Sequence, residues 1–344
     1  MALDGQAFSP KQFQLAIQGE ATIGTADIDG NMNLVNIDSI SMPSLNLTQV
    51  FDVRSGSGGR VADVDDILID EKGVTKEITF SGVFDQTIAP VLLNNICGGA
   101  TVASDLITIP YNYQPDELQT GASGDATKTL TLAIVNPRTT VDGSTYVNRS
   151  MIFAGCVITA LSITGDMSNE SGRLKFSATA RTGYLSNFTE ADPSTASAFT
   201  AYGTSFYSLA TLSGGVKRTI AGAGDAVIQS FSLNIENPAE FVGQSTNGNP
   251  DAIVRAIPEI AVTLDATVKY DSNTASYFEA QKLNTDVVSN LANHATIATA
   301  DSFGFIGSYG RITSVAYNEA NAMMLDVSTK FFASAANPLI AITT

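Results

Sequence analysis

A mainly β fold is what this 344-residue chain predicts, and three observations carry the prediction. Apolar and polar residues alternate with period two along most of the length, as half-buried strands require. Helical periodicity is confined to a few short stretches, and an order of strand, long loop, strand and helix occurs twice.

The alternation is clearest in Ser44-Leu-Asn-Leu-Thr, Glu77-Ile-Thr-Phe-Ser, Lys128-Thr-Leu-Thr-Leu-Ala-Ile and Arg173-Leu-Lys-Phe-Ser-Ala-Thr. It returns in Phe231-Ser-Leu-Asn-Ile-Glu, Ile260-Ala-Val-Thr-Leu-Asp-Ala-Thr-Val and Leu325-Asp-Val-Ser-Thr-Lys-Phe. Short helices are predicted at Ile88–Ile96 and Thr274–Leu283, with a third through Asp286–Asn293; Ser9–Ile17 fits helix or strand.

The repeat rests on Ser44-Leu-Asn-Leu-Thr-Gln and Ser232-Leu-Asn-Ile-Glu-Asn, 188 positions apart. A long loop follows each, 52–76 and 238–256, and leads into a strand ending at Asp85 or Asp271, 186 positions apart. Each Asp precedes a predicted helix by three residues, where its side chain can cap the turn. A weaker echo joins Phe153-Ala-Gly-Cys-Val-Ile to Phe305-Ile-Gly-Ser-Tyr-Gly. The expected organisation is a first β unit over 1–190 with loop 52–76 and extra chain at 98–148, a linker at 191–226 rich in Ser, Thr, Ala and Gly, and a second unit over 227–344. A chance match between similar strands is the alternative, since Ser-Leu-Asn-Leu patterns arise cheaply in β sequences.

Charged residues are 15% of the chain, against about 25% in ordinary globular domains, and the net charge is −16. A hydrophobic fraction of 44% argues against disorder. The acidic excess argues against stable nucleic-acid binding, which needs clustered Lys and Arg on phosphates. Cys97 and Cys156 sit in apolar settings and read as reduced buried thiols, with a structural disulfide the alternative. Met1–Pro10 lacks the basic start and apolar core of a signal peptide, and no apolar run approaches a membrane span of about 20 residues. Folding in a cytoplasm is expected.

The residues for catalysis are scarce. His294 is the single histidine and cannot supply the paired imidazoles of most zinc sites; a surface or capping role suits it. Ser55-Gly-Ser-Gly-Gly-Arg60 and Ala221-Gly-Ala-Gly-Asp225 do not complete a phosphate-binding loop. The acidic run Ala62–Glu71 lacks the glycine and closing glutamate of an EF-hand. No spacing selects a carboxylate pair for glycoside chemistry. No catalytic residue, cofactor or metal site is therefore assigned.

The long loops are the distinctive feature, since hairpin turns usually take about 2–5 residues. The first holds Asp52, Arg54, Arg60 and Asp66 together with the apolar Val64, Ile67 and Ile69; the second holds Glu240, Asp251 and Arg255. A solvated excursion is one reading. An arm docking on an adjacent subunit is the sharper one, because a purely solvated loop has no reason to be apolar.

With these residues in view, the chain resembles the tail tube proteins of long-tailed bacteriophages. The likeness is carried by Gly155–Asp166 (Gly-Cys-Val-Ile-Thr-Ala-Leu-Ser-Ile-Thr-Gly-Asp), Glu170–Ala180, Ile228–Asn237 and Pro258–Asp271, and extends weakly to the first half through the repeat. The resemblance implies a tail-tube-like β-sandwich or barrel with short flanking helices. Inner strands would join across subunits into a ring, and long loops would stack ring on ring. Rings of six tube folds would come from three chains with two folds each, a pseudo-sixfold trimer that the repeat favours, or from six chains. Implied partners are further copies of the chain, a tape-measure protein and passing DNA in the lumen, and tail terminator and tail-tip proteins at the ends. The place of action would be the virion tail, after synthesis in the host cytoplasm. Other virion or surface assembly roles are the rival: a decoration, sheath, tail-tip or surface-layer subunit. A carbohydrate-binding sandwich and an enzyme stand further off.

Overall fold

The computed structural model describes residues 13–28, 32–41, 50–51, 67–68, 74–97, 106–109, 117–119, 129–136, 149–189, 202–213, 217–245, 247–255, 258–292, 303–319 and 323–344. Within them the protein is mainly β. The first half carries β1 (Gln14–Gly19), β2 (Asn33–Val35), β3 (Ile37–Ile40), β4 (Val50–Phe51), β5 (Ile67–Leu68), β6 (Lys76–Val83), α1 (Ala89–Ile96), β7 (Leu106–Ile109), β8 (Glu117–Gln119), β9 (Leu130–Asn136), β10 (Arg149–Asp166), β11 (Lys175–Thr182) and β12 (Asn187–Thr189). The second carries α2 (Leu209–Ser213), β13 (Lys217–Thr219), β14 (Ile228–Glu236), β15 (Ala239–Val242), β16 (Ala252–Arg255), β17 (Ala261–Lys269), α3 (Thr274–Leu283), β18 (Val287–Ala292), β19 (Gly304–Asn318), β20 (Met324–Phe331) and β21 (Ile340–Thr343).

Alternation sets the faces. In β17, Val262, Leu264, Ala266 and Val268 are buried while Asp265 and Lys269 are exposed, and β11, β14 and β20 alternate in the same way. The main sheet is antiparallel, in the order β13-β18-β19-β20-β17-β14-β10-β11-β6-β3. The second layer grows from the first half of β10, which pairs with β9 and β12, while β9 pairs with β1 and β1 with β2. The long strand β10 thus passes from one layer to the other. It does so at a bulge between Phe153 and Cys156, where Gly155 has φ +59°. A Cβ on Gly155 would lie 2.2 Å from the Tyr184 ring, so glycine answers both the backbone and the space.

One core lies between the layers and around α1. Leu15, Leu132 and Ile134 of the second layer share it with Phe80, Leu233 and Leu264 of the main sheet. Phe84, Phe303 and Tyr207 meet there, with centroids 5.4 Å apart for Phe84–Phe303 and 5.5 Å for Tyr207–Phe303. Each such ring contributes roughly 2–3 kcal/mol by leaving water. Because this cluster draws on both halves, the two halves fold against each other.

The structure departs from two expectations and resolves a third. Asp286–Asn293 was predicted as helix; its described part contains the strand β18, in which Val287, Ser289 and Leu291 are buried with period two. Two adjacent β-branched valines favour that outcome. The described part of the expected linker 191–226 is no exposed connection: Leu209, Leu212 and Ile220 are fully or nearly fully buried, and β13 joins the main sheet. The ambiguous Ser9–Ile17 stretch enters strand β1 where it is described. The segment Ser44–Gln49 and His294 lie outside the described residues.

Candidate assembly surfaces

Two stretches of the main sheet, β3 and the second half of β19, differ from the rest. β3 pairs with β6 and, among the described residues, with nothing on its other side. β19 is flanked over Gly304–Gly310 by β18, with β21 on its far side at Gly304–Ile306. Over Arg311–Asn318 it pairs with β20 alone among the described residues. β10 is built the same way, with β9 and β12 on its first half, but its second half pairs with both β11 and β14. β14 therefore fills, beside β10, a place that no described strand takes beside β19.

Register makes the correspondence exact to the residue. β10 on β11 shifts register between Ile158 and Ala160; β19 on β20 shifts between Ile312 and Ser314, 154 positions later. β3 on β6 shifts between Ile37 and Ser39; β14 on β17 shifts between Ile228 and Ser230, 191 positions later. Gly82 and Val268, the partners at those two shifts, are 186 positions apart, as are Asp85 and Asp271. Ser41 thus occupies the place of Ser232, since its N–H reaches the Thr79 carbonyl at 2.8 Å. The expected match of Ser44 with Ser232 is three positions off this frame. The signal that finds the right frame is Ile37-Asp-Ser-Ile-Ser against Ile228-Gln-Ser-Phe-Ser.

Exposure differs at these corresponding places. At the β10–β14 junction Ile163 and Leu161 are 0% and 1% exposed, and Phe231 is 3%. At the free ends, Tyr317 in the place of Ile163 is 54% exposed, while Val315, Ile37 and Ile40 are half-buried. The Tyr317 ring stacks with Phe278 of α3 at 5.4 Å and Tyr270 at 6.2 Å, forming an aromatic patch at the sheet end.

The solvent face of the main sheet is lined with hydroxyls and amides. Ser39, Ser81, Ser177, Ser162, Asn234 and Thr263 form one cross-strand row. Ser39 and Ser81 are 2.8 Å apart, and Ser162 donates to Asn234 at 2.7 Å. Two cations on this face are held by acids: Lys175 by Glu170 at 2.9 Å and Asp38 at 3.2 Å, and Lys330 by Glu259 at 3.0 Å. Asp265 and Asp326 are instead met by neutral donors, Asn234 at 3.3 Å for the first, Thr267 at 2.7 Å and Asn318 at 3.1 Å for the second. Their negative charge is left uncancelled by those bonds.

Both long loops begin and end in short hairpin strands. β4 pairs with β5 through Val50–Leu68 and Phe51–Ile67, which puts Ile67 in a strand. Asp52, Arg54, Arg60, Val64, Asp66 and Ile69 lie outside the described residues. In the second loop β15 pairs with β16, and β8 adds a third strand from the extra chain. Ala239 and Ile253 pack on Val157 and Tyr184, while Glu240 and Asp251 are exposed. Arg255 is 1% exposed: its guanidinium donates to the carbonyls of Asn95, near the C-terminus of α1, and of Ile158. It anchors the hairpin's base inside the chain.

The buried titratable groups have internal duties. Glu20 accepts the N–H of Gly24 and of Gly155, both at 2.7 Å, and the hydroxyls of Thr129 at 2.8 Å and Thr131 at 3.0 Å. Burial pushes its carboxyl above the usual range against the pull of those donors. Cys97 and Cys156 are free and buried, and burial pushes the Cys97 thiol up to about 12. Among the described residues no three metal-ligating side chains gather, and no helix is long and apolar enough to cross a membrane.

A family model described as "Phage tail tube protein" matches residues 14–331 of the 344. No curated protein matches the chain.

Proposed function

This chain belongs to the phage tail tube protein family, and from that premise we propose that it polymerises into stacked rings around a lumen that conducts DNA into the host. The observation that carries the reading is the pair of sheet ends, β3 and the second half of β19, whose half-exposed apolar residues correspond to fully buried ones at the β10–β14 junction. An unpaired strand edge invites another strand, and closing a ring removes both edges at once.

Two related units per chain make three chains a pseudo-sixfold ring. The sheet then runs on continuously, alternating an internal junction with an intermolecular one. The hydroxyl-lined face becomes the lumen wall, with Asp265 and Asp326 giving it negative character that repels DNA phosphates. Rings stack through the two hairpins, by Asp52, Arg54, Arg60, Val64, Asp66, Ile67 and Ile69 of the first and the exposed Glu240 and Asp251 of the second. A tape-measure protein and DNA occupy the lumen in turn, and terminator and tip proteins close the ends.

Negative-stain microscopy of the purified protein tests the reading. Hollow tubes, or rings of three chains by native mass, are expected. A species that stays monomeric at high concentration sinks it.

A further inference from the structure

Resting on that ring reading, we propose that the joint between copies repeats the register of the internal β10–β14 junction, so that Ser41 of one copy lies directly across from Asn318 of the next. The seat is the open edge of β19 over Arg311–Asn318, and the occupant is strand β3 of a second copy of this chain.

The register follows from pairings within the chain. Thr164 faces Ser232 where β10 meets β14. Moving Thr164 along the β10-to-β19 correspondence gives Asn318, and moving Ser232 along the β14-to-β3 correspondence gives Ser41. The backbone phase agrees. On β14 the Gln229 carbonyl takes the Met167 N–H at 2.9 Å, and the Asn237 N–H reaches Thr159 at 2.9 Å. Thr164 and Ser232 are therefore a non-hydrogen-bonded pair, because bonded and non-bonded pairs alternate along antiparallel strands. Ser41 spends its N–H inward on Thr79, so its outward pairing is also the non-bonded kind. The Tyr270 N–H meets the Met323 carbonyl at 3.2 Å, which sets Met324 to bond towards its partner Asn318. That turns the backbone groups of Asn318, like those of Ser41, inward, the phase of a non-hydrogen-bonded pair across the joint.

Side chains fit the same phase. Ser41 and Asn318 both lie on the polar face: Ser41 Oγ meets Thr79 Oγ1 at 2.7 Å, and Asn318 donates to Asp326. Ile40 then falls on the apolar side, diagonal to Tyr317, as Phe231 falls diagonal to Ile163 at the internal junction. Burying Ile40 and Tyr317 together removes the exposure that distinguishes the free ends from that junction.

The test is site-directed cross-linking of assembled protein. Non-bonded antiparallel pairs bring Cα atoms to about 4.5 Å, within the span a disulfide bridges. Cys97 and Cys156 are buried and stay silent. In S41C/N318C assemblies, mild oxidation is expected to give covalent dimers and trimers on a non-reducing gel. A mixture of the S41C and N318C single variants should give dimers and nothing larger, and each variant alone should give none. The S39C/N318C variant is out of register by two residues on the same face, and at most a trace is expected from it. Tubes or rings that cross-link through S39C/N318C but not S41C/N318C overturn this register and leave the ring reading standing. Wild-type protein that forms neither tubes nor rings overturns the ring reading and the register with it.

Discussion

Asp85 and Asp271, 186 positions apart, perform the same local act: each accepts through Oδ1 the N–H of the residue two positions on, Thr87 at 2.9 Å and Asn273 at 2.8 Å, just before α1 and α3. Their surroundings are unequal. Asp85 is 0% exposed, takes the Ile88 N–H at 3.1 Å and the Asn36 amide at 3.1 Å, and lies against Gly203. Asp271 is half-buried.

Asp85→Ala is therefore expected to cost about 2–4 kcal/mol, since it removes the bonds of a fully buried carboxylate to the Thr87 and Ile88 N–H groups and to the Asn36 amide, whereas Asp271→Ala should cost about 1 kcal/mol. Gly203→Ala should behave like Asp85→Ala, because its Cβ would lie 2.3 Å from Asp85 Oδ1. Urea unfolding of the dissociated chain measures all three. Equal losses for the two Asp variants would contradict the burial argument.

How legible this was in the sequence follows from how local each cause is. Period two marked β6, β11, β14, β17 and β20, and the α3 range Thr274–Leu283 was read as it stands, because both signals lie within a few residues. The Asp85–Asp271 spacing was also visible. The choice of strand partner was not, since β10 meets β14 across about 70 residues and nothing local specifies it. Arg255 looked like a loop charge; its burial depends on two carbonyls, Asn95 and Ile158, that are distant in sequence.

The sheet ends separate folding from assembly. Tyr317→Lys places a charge on a side chain already 54% exposed and gives up its ring contacts with Phe278 and Tyr270, so the subunit should lose only about 1–2 kcal/mol and stay folded. Tubes should fail to form, seen by sedimentation and microscopy. Ile163→Lys, at the corresponding buried place, should instead abolish soluble folded protein. A Tyr317→Lys chain that still polymerises would show that this edge is not the joint.

Glu20 sets a pH dependence. Its folded pKa is raised by burial while the unfolded value stays ordinary, so the folded state binds the proton more tightly. This contribution to stability is fully present below the unfolded value of 4.5 and is lost as pH rises through the folded value. Unfolding free energies of the wild type and Glu20→Gln, compared from pH 4 to 8, should show the wild type's advantage shrinking with rising pH. A difference that grows with pH would reverse the sign.

Deleting Ser55–Asp70 tests stacking separately from ring closure. The deletion removes most of the chain between the β4–β5 strands along with β5 itself, and spares the described pairings of β3 with β6. Folded subunits and isolated rings are expected, without long tubes. Normal tubes would release this loop from the role.

Lumen charge is testable by what the tube retains. Asp265 and Asp326 sit on neighbouring strands of the hydroxyl-lined face, and their bonds to Asn234, Thr267 and Asn318 leave both carboxylates' charge in place. Replacing both with Lys changes each chain by four charge units without touching the buried face. In a three-chain ring the added cations would recur around the wall at every layer, turning a repelling surface into one that neutralises phosphates. Tubes of Asp265→Lys/Asp326→Lys should therefore bind DNA at low salt and release it steeply as salt rises, while wild-type tubes bind none. If the double variant forms tubes that stay free of DNA at low salt, this face does not line the lumen.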